Sequence, residues 1–215
     1  MDRLLDEKSI PQVLEKLEIM HPEAACALDH RNKYELLISV VLSAQTTDVS
    51  VNKVTPALFA KYPEPGDLAE ADREDVEDLI RTIGLYKNKS ANIIKLAKQL
   101  VDRYEGTVPE SFDDLVSLPG VGRKTANVVL AEGFGVPRIA VDTHVFRVAN
   151  RIGITCGKDV TETEEQLMER IPKELWIRTH HLLIFHGRKC CSARKPACSR
   201  CLINDLCLFE NKEIQ

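Results

Sequence analysis

Residues Leu118 to Ala126 read LPGVGRKTA, and this stretch predicts the fold more directly than any other. Pro119 cannot continue a preceding helix, and Gly120 and Gly122 permit backbone angles and close approaches that a Cβ would obstruct. The pattern therefore predicts a tight turn between a helix that ends near Ser117 and a second helix that follows at once. The N–H groups of such a turn and of the second helix can point at a phosphate. A plain helix-to-helix corner without a ligand has the same glycine pattern.

Outside this turn, apolar residues recur at three- and four-residue spacing along almost the whole chain. This periodicity indicates about ten short helices, and strands are hard to place. Asp72 has the position of an N-cap, and Gly84 the position of a helix end. The predicted helices span 34–44, 72–83, 88–104, 123–134, 143–151, 161–170 and 174–185. We therefore expect an all-α fold.

Near the end of the chain, four cysteines follow the spacing C-x6-C-x2-C-x5-C: Cys191, Cys198, Cys201 and Cys207. Their polar surroundings disfavour a core role. The N-terminus resembles no secretory signal, so a reduced, cytoplasmic location is expected and disulfides are disfavoured. Among metal centres, a 4Fe-4S cluster is favoured over zinc, because structural zinc usually draws on two C-x2-C pairs and this segment has one. Cys190, directly before Cys191, leaves the first ligand ambiguous by one residue.

Charge is distributed unevenly along the chain. The formal net charge of −4 argues against a protein that coats nucleic acid through bulk charge. Residues 175–204, however, contain no Asp or Glu and carry six cations: Arg178, Arg188, Lys189, Arg194, Lys195 and Arg200. A solvated basic face and a phosphate-binding surface both fit this pattern. No stretch approaches the roughly 18 apolar residues of a membrane span, so no membrane partner is expected.

Together these motifs carry a family resemblance. LPGVGRKTANVVL, which begins at Leu118, resembles the helix-hairpin-helix of DNA glycosylases, and VDTHVFRV, from Val141 to Val148, resembles the segment that follows it. With the cysteine spacing, the ordered set resembles the endonuclease III family. The resemblance covers nearly the whole chain, including 36–53 and 80–90. The family spacing favours Cys191 over Cys190 as the first ligand.

The resemblance implies two helical domains with a DNA cleft between them. One domain spans 26–134 and contains the hairpin at about 112–131. The other is a discontinuous iron-sulfur domain, formed by 1–25 and 135–215. The implied cofactor is a 4Fe-4S cluster, and the implied partner is double-stranded DNA with a damaged pyrimidine or an abasic site. We expect a monomer that acts in base excision repair, both as a glycosylase on oxidised pyrimidines and as a lyase that cleaves 3′ of the abasic site.

Two residues are the catalytic candidates. Lys124 can attack as an amine and form a Schiff base, and one lysine can then support both base removal and strand cleavage. Without the resemblance, a simple phosphate contact explains Lys124 equally well. Asp142 precedes a predicted helix and has the position of an N-cap. The resemblance makes it the carboxylate that stabilises the oxocarbenium charge and helps to activate Lys124.

Further residues are expected to contact DNA. A glycosylase must flip its target base out of the duplex, and other groups must fill the space that the base leaves. Gln45 and Leu85 are the candidates for this role. The alternative interpretation, without a DNA contact, is that Gln45 is a surface residue at a helix end and Leu85 is a core residue. His144 is expected to have a structural or phosphate-contact role. Phosphate contacts are expected at Gly120, Val121, Gly122, Arg123 and Thr125 in the hairpin, and at Arg194 and Lys195 between the first two cysteine ligands.

Three other functions compete with this one. An adenine glycosylase and a thymine-mismatch glycosylase of the same superfamily are both opposed by Lys124, since those branches generally lack a lysine there. The adenine branch also carries a further C-terminal domain. A non-catalytic iron-sulfur sensor that binds DNA remains open, and turnover that depends on Lys124 would exclude it as the main function.

Overall fold

The computed structural model describes residues 4–212 of the chain, and these residues form helices and connecting turns without a strand. The prediction of an all-α fold is confirmed. Eleven α-helices lie in the described range: α1 Ile10–Met20, α2 Lys33–Leu42, α3 Asp48–Lys61, α4 Pro65–Ala69, α5 Arg73–Leu79, α6 Tyr86–Tyr104, α7 Phe112–Ser117, α8 Arg123–Phe134, α9 Thr143–Ile152, α10 Val160–Arg170 and α11 Trp176–Lys189. Short 3-10 segments occur at Glu7–Ser9, Lys173–Leu175 and Cys198–Arg200.

The helices divide into two compact units. The hairpin unit is Ala27–Val136 and holds α2 to α8. The cysteine unit is discontinuous and combines Met1–Cys26 with Pro137–Gln215, so that it holds α1 and α9 to α11. The chain therefore leaves the cysteine unit after α1 and returns to it before α9.

In the hairpin unit, α2 is the central helix. Leu36, Leu37, Ile38 and Leu42 have exposed fractions of 0%, and the helix is buried on every side from Tyr34 onward. A helix that is buried on every side must be covered by neighbours, and α3, α6 and α8 pack against it. Each such leucine or isoleucine stabilises the fold by about 1.5–3 kcal/mol through burial.

In the cysteine unit, α9 and α11 pack against each other and α1 packs against α11. α9 is strongly amphipathic, and its Val145 and Val148 are fully buried in this core with Val13, Leu17 and Leu183. The polar face of α9 therefore remains available for contacts outside this core.

One helix ends earlier than its periodicity predicts. Asp72 is the expected N-cap and accepts from the amides of Glu74 and Asp75, but α5 ends at Leu79. Ile80 and Ile83 keep the three-residue spacing of a helix, yet both are buried from a turn that leads into α6. Apolar residues at helical spacing indicate buried positions. Here Ile80 and Ile83 are buried in a turn and not in a helix.

Candidate functional site

The hairpin turn joins α7 to α8 through Gly120, which has a φ of +79°. A Cβ on Gly120 would lie 3.1 Å from Cγ1 of Val41 and 3.2 Å from Nδ2 of Asn92, so that only glycine fits against α2 and α6. Val121 is buried, and its amide donates to the carbonyl of Leu118 at 3.1 Å. The turn is therefore held both by its own backbone and by the neighbouring helices.

The beginning of α8 is open. Gly122 is its N-cap and has no side chain to accept from the first-turn amides, and a Cβ on Gly122 would have no atom within 4 Å. Arg123 and Lys124 follow at once and are exposed, while Thr125 is half-buried. An uncapped helix start with exposed amides and cations is suited to an anion such as a phosphate.

Asp142 is the N-cap of α9. Its Oδ1 accepts from the amides of both His144 and Val145, at 2.8 Å each, which explains why the helix begins at this residue. His144 is half-buried, and its Nδ1 lies 3.2 Å from Nη2 of Arg147. Burial lowers the pKa of His144, so that its neutral form is favoured.

Gln45 and Leu85 share an unusual backbone conformation. Gln45 has a φ of +54° and Leu85 a φ of +60°, in the left-handed region that side chains rarely adopt. Gln45 is exposed, and Leu85 is 55% exposed. The interpretation of Leu85 as a core residue is therefore wrong. An exposed leucine at a strained turn is suited to a contact outside the chain.

A buried lysine next to these turns was missed at the level of sequence. Lys89 lies in the first turn of α6 and its Nζ donates to Oγ1 of Thr46 at 2.5 Å. Lys89 precedes Ile93 by four residues and Leu96 by seven, so that helical spacing places it on the buried face of α6, unlike the exposed Lys87 and Lys95. The contact of its ammonium with Thr46 depends on how the turn that contains Thr46 packs against α6.

The four predicted cysteine ligands lie together in the cysteine unit. Cys191, Cys198, Cys201 and Cys207 line one cavity, whose other walls include the apolar side chains of Ile152, Ile203 and Phe209. Thiolates in an apolar pocket that are joined by a short, folded segment fit an iron-sulfur cluster. Cys190 lines the same cavity, and one donor atom each of His186, Cys190 and Cys201 lie within 4.8 Å of one another.

Three of the four proposed ligand thiols in this cavity have a raised pKa, which favours their protonated forms. The hydrogen bond with Cys190, and then burial, raises the pKa of Cys201 to about 12. Burial also raises the pKa of Cys198 and of Cys207. The iron of a cluster therefore has to displace these protons when it binds.

Two arginines of α9 connect this helix to the cysteine segment. Nη2 of Arg147 donates to the carbonyls of Gly187 and Cys191, at 3.0 and 3.1 Å. Nη1 of Arg151 donates to the carbonyl of Ser192 at 2.7 Å and to Sγ of Cys191 at 3.5 Å. Sequence reasoning missed both arginines, although their four-residue spacing places them on one face of the helix.

The basic run divides into paired and exposed cations. Arg178 is bound to Glu18 through an ion pair with an N–O distance of 2.5 Å, and Lys189 forms an ion pair with Glu23. Arg194 and Lys195 are exposed in the loop between Cys191 and Cys198. This loop is folded back on itself, because Oγ of Ser192 donates to the carbonyl of Lys195 at 2.5 Å. Fewer cations of this run are therefore available to bind phosphate than the sequence suggests.

Within the described residues, no helix is both long enough and apolar enough to cross a membrane.

Comparisons with known proteins show the family to which the chain belongs. The family model of the HhH-GPD superfamily base excision DNA repair protein matches residues 38–173, and the iron-sulfur binding domain of endonuclease III matches residues 191–207. Endonuclease III of Bacillus subtilis (strain 168) is 51% identical over 95% of this chain and 94% of its own length. Endonuclease III of Escherichia coli (strain K12) is 48% identical over 94% of this chain and 95% of its own.

Solved structures have the same fold. A trapped endonuclease III-DNA covalent intermediate is 52% identical, with a TM-score of 0.90, and the match covers 95% of this chain and 96% of that one. A thermostable thymine-DNA glycosylase is 25% identical, with a TM-score of 0.85, and the match covers 95% and 98%.

The fold and the site thus define a DNA glycosylase of base excision repair with an iron-sulfur centre. The chain belongs to the endonuclease III family. It is a bifunctional DNA glycosylase and abasic-site lyase, and its cofactor is a 4Fe-4S cluster.

Proposed function

We propose that this enzyme removes oxidised pyrimidines from double-stranded DNA and cleaves 3′ of the resulting abasic site, with Lys124 as the nucleophile. The observation that best supports this proposal is the position of Lys124. It is exposed in the first turn of α8, two residues after the glycine that leaves the helix start uncapped. A phosphate held at this helix start would bring a deoxyribose close to the amine.

The chemistry needs one amine and one carboxylate. The Nζ of Lys124 attacks C1′, the glycosidic bond breaks, and the base leaves with the bonding electrons and takes up a proton. Nζ then loses a proton, and its lone pair opens the sugar ring as O4′ leaves C1′ and takes up a proton, which gives a Schiff base between Nζ and C1′. Loss of a proton from C2′ eliminates the phosphate at C3′, and water finally releases the enzyme.

Asp142 is the proposed carboxylate. Its charge would stabilise the positive charge that develops at the sugar, and the carboxylate would help to activate Lys124 by accepting a proton from Nζ. The N-cap role is compatible with this role, since both amide hydrogen bonds go to the single oxygen Oδ1.

The DNA contacts follow from the exposed groups. Gln45 would bond the orphaned partner base, and Leu85 would wedge the stack open. The hairpin residues Gly120, Val121, Gly122, Arg123 and Thr125 would hold one phosphate segment, and His144 would add a contact beside Asp142. Arg194 and Lys195 would hold a second segment, with the cluster shaping their loop.

The proposed cluster ligands are Cys191, Cys198, Cys201 and Cys207. Two observations support this set: the four residues line one cavity, and the matched iron-sulfur segment begins at residue 191 and ends at residue 207. This choice leaves Cys190 as a neighbour of the cluster that does not bind iron.

The enzyme is further proposed to act as a monomer in the cytoplasm. None of the seven cysteines, which lie in the described range, forms a disulfide, as a reducing compartment favours. A solution mass near 24.2 kDa by light scattering is the expected result, and a mass of twice this value would contradict the monomer.

Covalent trapping tests the function directly. The purified protein is incubated with a duplex that contains one thymine glycol, and borohydride is added to reduce a Schiff base. We expect the wild type to be trapped and to cleave the strand, and Lys124→Ala to lose both activities together. Lys98→Ala, which removes an exposed lysine of α6, is the matched control and should behave as the wild type. A wild type that binds DNA and holds its cluster but is never trapped would refute the proposal.

Asp142→Asn separates the chemical role of this residue from its structural role. Asparagine is as good an N-cap as aspartate, so that the variant should keep its fold and most of its DNA affinity. Single-turnover excision should nevertheless be lost, because the amide carries no charge. Excision at the wild-type rate would show that Asp142 is only a cap.

A further inference from the structure

Lys89 is the cation that the hairpin unit buries most completely, among those described, with an exposed fraction of 4%. Within the described residues, none of the ion pairs includes Lys89, and its ammonium donates to Oγ1 of Thr46 at 2.5 Å. Burial lowers the pKa of Lys89, which reflects the cost of keeping a charge in this place. A buried ammonium with a lowered pKa is therefore a candidate for a functional role.

The position of Lys89 suggests what this role is. Its own amide donates to the carbonyl of Leu85 at 3.0 Å, and this first hydrogen bond of α6 places Lys89 one helical turn after the exposed leucine. Its side chain reaches Thr46, the residue directly after Gln45. One residue therefore connects the two turns that carry the proposed DNA-inserting side chains.

The two turns also touch each other. A Cβ on Gly84 would lie 3.9 Å from the carbonyl oxygen of Gln45. On the other side, the amide of Thr46 donates to the carbonyl of Ser43 at 3.0 Å, which joins the Gln45 turn to the end of α2. The Gln45 turn is therefore attached to the end of α2, and the Leu85 turn leads directly into α6.

Left-handed backbone at a residue other than glycine persists only where its surroundings impose it. Gln45 and Leu85 both have this conformation, and the bond between Lys89 and Thr46 spans the gap between them. Without that bond, both turns can relax to the more usual backbone angles. Their side chains would then no longer be presented side by side.

We propose that Lys89 is a positioning residue for base extrusion, because it binds Thr46 and so holds the Gln45 turn against the Leu85 turn. The two side chains then enter the duplex as one preorganised unit. This inference rests on the proposed DNA-inserting roles of Gln45 and Leu85. It assigns Lys89 no contact with the reacting atoms.

Substitution of Lys89 separates positioning from folding. Lys89→Met keeps the length and the apolar stem but removes the charge, and loss of a poorly compensated buried charge should leave the melting temperature unchanged or raise it. A lysine that serves only the fold would behave in the opposite way and lower it. Thr46→Val removes the acceptor and keeps the shape of the side chain. Thr46→Ser keeps the hydroxyl and serves as the conservative rescue, while Lys98→Met removes an exposed lysine of the same helix as a control.

The readout is the rate of base extrusion by the full-length, cluster-containing enzyme. A duplex carries a thymine glycol beside a fluorescent adenine analogue, whose emission rises in stopped flow as the stack opens. We expect Lys89→Met and Thr46→Val each to slow this rise about tenfold or more, as for the loss of one hydrogen bond to a charged group. The double variant should be no slower than either single variant, because both remove the same bond. Thr46→Ser and Lys98→Met should match the wild type.

Each alternative outcome identifies the step that fails. Extrusion at the wild-type rate in Lys89→Met and Thr46→Val, while Gln45→Ala and Leu85→Ala slow it, would overturn the positioning role alone. Unchanged extrusion in Gln45→Ala and Leu85→Ala would overturn the proposed insertion, and the inference with it. Single effects that multiply in the double variant would show that the Lys89–Thr46 bond is not responsible.

Discussion

Arg151 donates from Nη1 to Sγ of Cys191 at 3.5 Å, and so connects α9 to the first proposed ligand of the cluster. The same guanidinium donates to the carbonyls of Ser192 and Ala193, at 2.7 and 2.8 Å, and lies 4.4 Å from the ring centre of Phe209. A charged donor beside a thiolate stabilises its negative charge, and planar geometry lets one arginine hold several carbonyls. Asp142 thus caps the beginning of α9, and Arg151 attaches its other end to the cluster segment.

Arg151→Met should loosen the cluster while leaving the chain folded. The loss of charged hydrogen bonds worth about 1.5–3 kcal/mol should speed cluster loss about tenfold. The measurement is the decay of visible absorbance after addition of an iron chelator. Lys173→Met, at an exposed position of the same unit, is the control. Equal decay rates in the two variants would exclude a role for Arg151 at the cluster.

Serine substitutions decide between the two adjacent cysteines. Cys191→Ser should lose most of the iron and the visible absorbance, because it removes a proposed ligand. Cys190→Ser should retain both, although Cys190 lines the same cavity. Iron per chain, measured after anaerobic purification, distinguishes them. The reverse result would make Cys190 the ligand and shift the spacing by one residue.

The two glycines of the hairpin should respond differently to alanine. Gly120→Ala meets Val41 and Asn92 and imposes a φ of +79° on a residue with a Cβ, so that it should cost about 2–4 kcal/mol of unfolding free energy. Gly122→Ala meets no atom of the chain within 4 Å and should cost no more than about 1 kcal/mol, because alanine is a poorer N-cap than glycine, yet it should weaken DNA binding if a phosphate approaches there. Urea unfolding and fluorescence anisotropy measure the two effects. Unchanged DNA affinity in Gly122→Ala would count against the phosphate contact.

The exposed cations near the cluster should contribute equally to the affinity for damaged and for undamaged DNA. Arg194→Ala combined with Lys195→Ala should weaken binding to damaged and undamaged duplexes by the same factor. The slope of log affinity against log salt should become shallower by about 1.8, since each phosphate contact contributes about 0.9. Lys158→Ala, exposed in the same unit, provides the comparison. A loss confined to damaged DNA would contradict this role.

Stability at acid pH should depend on Glu35. Burial acts to raise the pKa of Glu35, but hydrogen bonds from the side chain and backbone of Arg31 outweigh it and the pKa is lowered from 4.5. The ionised form therefore stabilises the folded state above pH 4.5, and this contribution is lost as the pH falls through the lowered pKa. Glu35→Gln should remove about 1 kcal/mol near neutral pH, because the exposed Arg31 is screened by solvent.

The measurement for Glu35 is the free energy of unfolding as a function of pH. The variant should show a flatter curve below pH 4.5 than the wild type. Glu110→Gln, an exposed glutamate of the same unit, should leave the curve as it is. Parallel curves for Glu35→Gln and the wild type would show that the ion pair with Arg31 does not contribute.

Local patterns were enough to predict the all-α class, the helix-hairpin-helix turn and the cysteine segment. Each of these depends on neighbours in the chain: periodic apolar residues, a proline followed by Gly120, and thiols at a fixed spacing. Because such features are local, they are visible without the folded structure.

Other properties arise only when distant segments meet. Helical spacing places Lys89 on the buried face of α6 and Lys98 off it, but only the folded structure brings the ammonium of Lys89 to Thr46. Arg178 and Lys189 belong to the same basic run as Arg194, yet acids from near the N-terminus neutralise them. Hydrogen-bond partners and charge pairing between distant segments depend on long-range packing, and no pattern along the chain determines them.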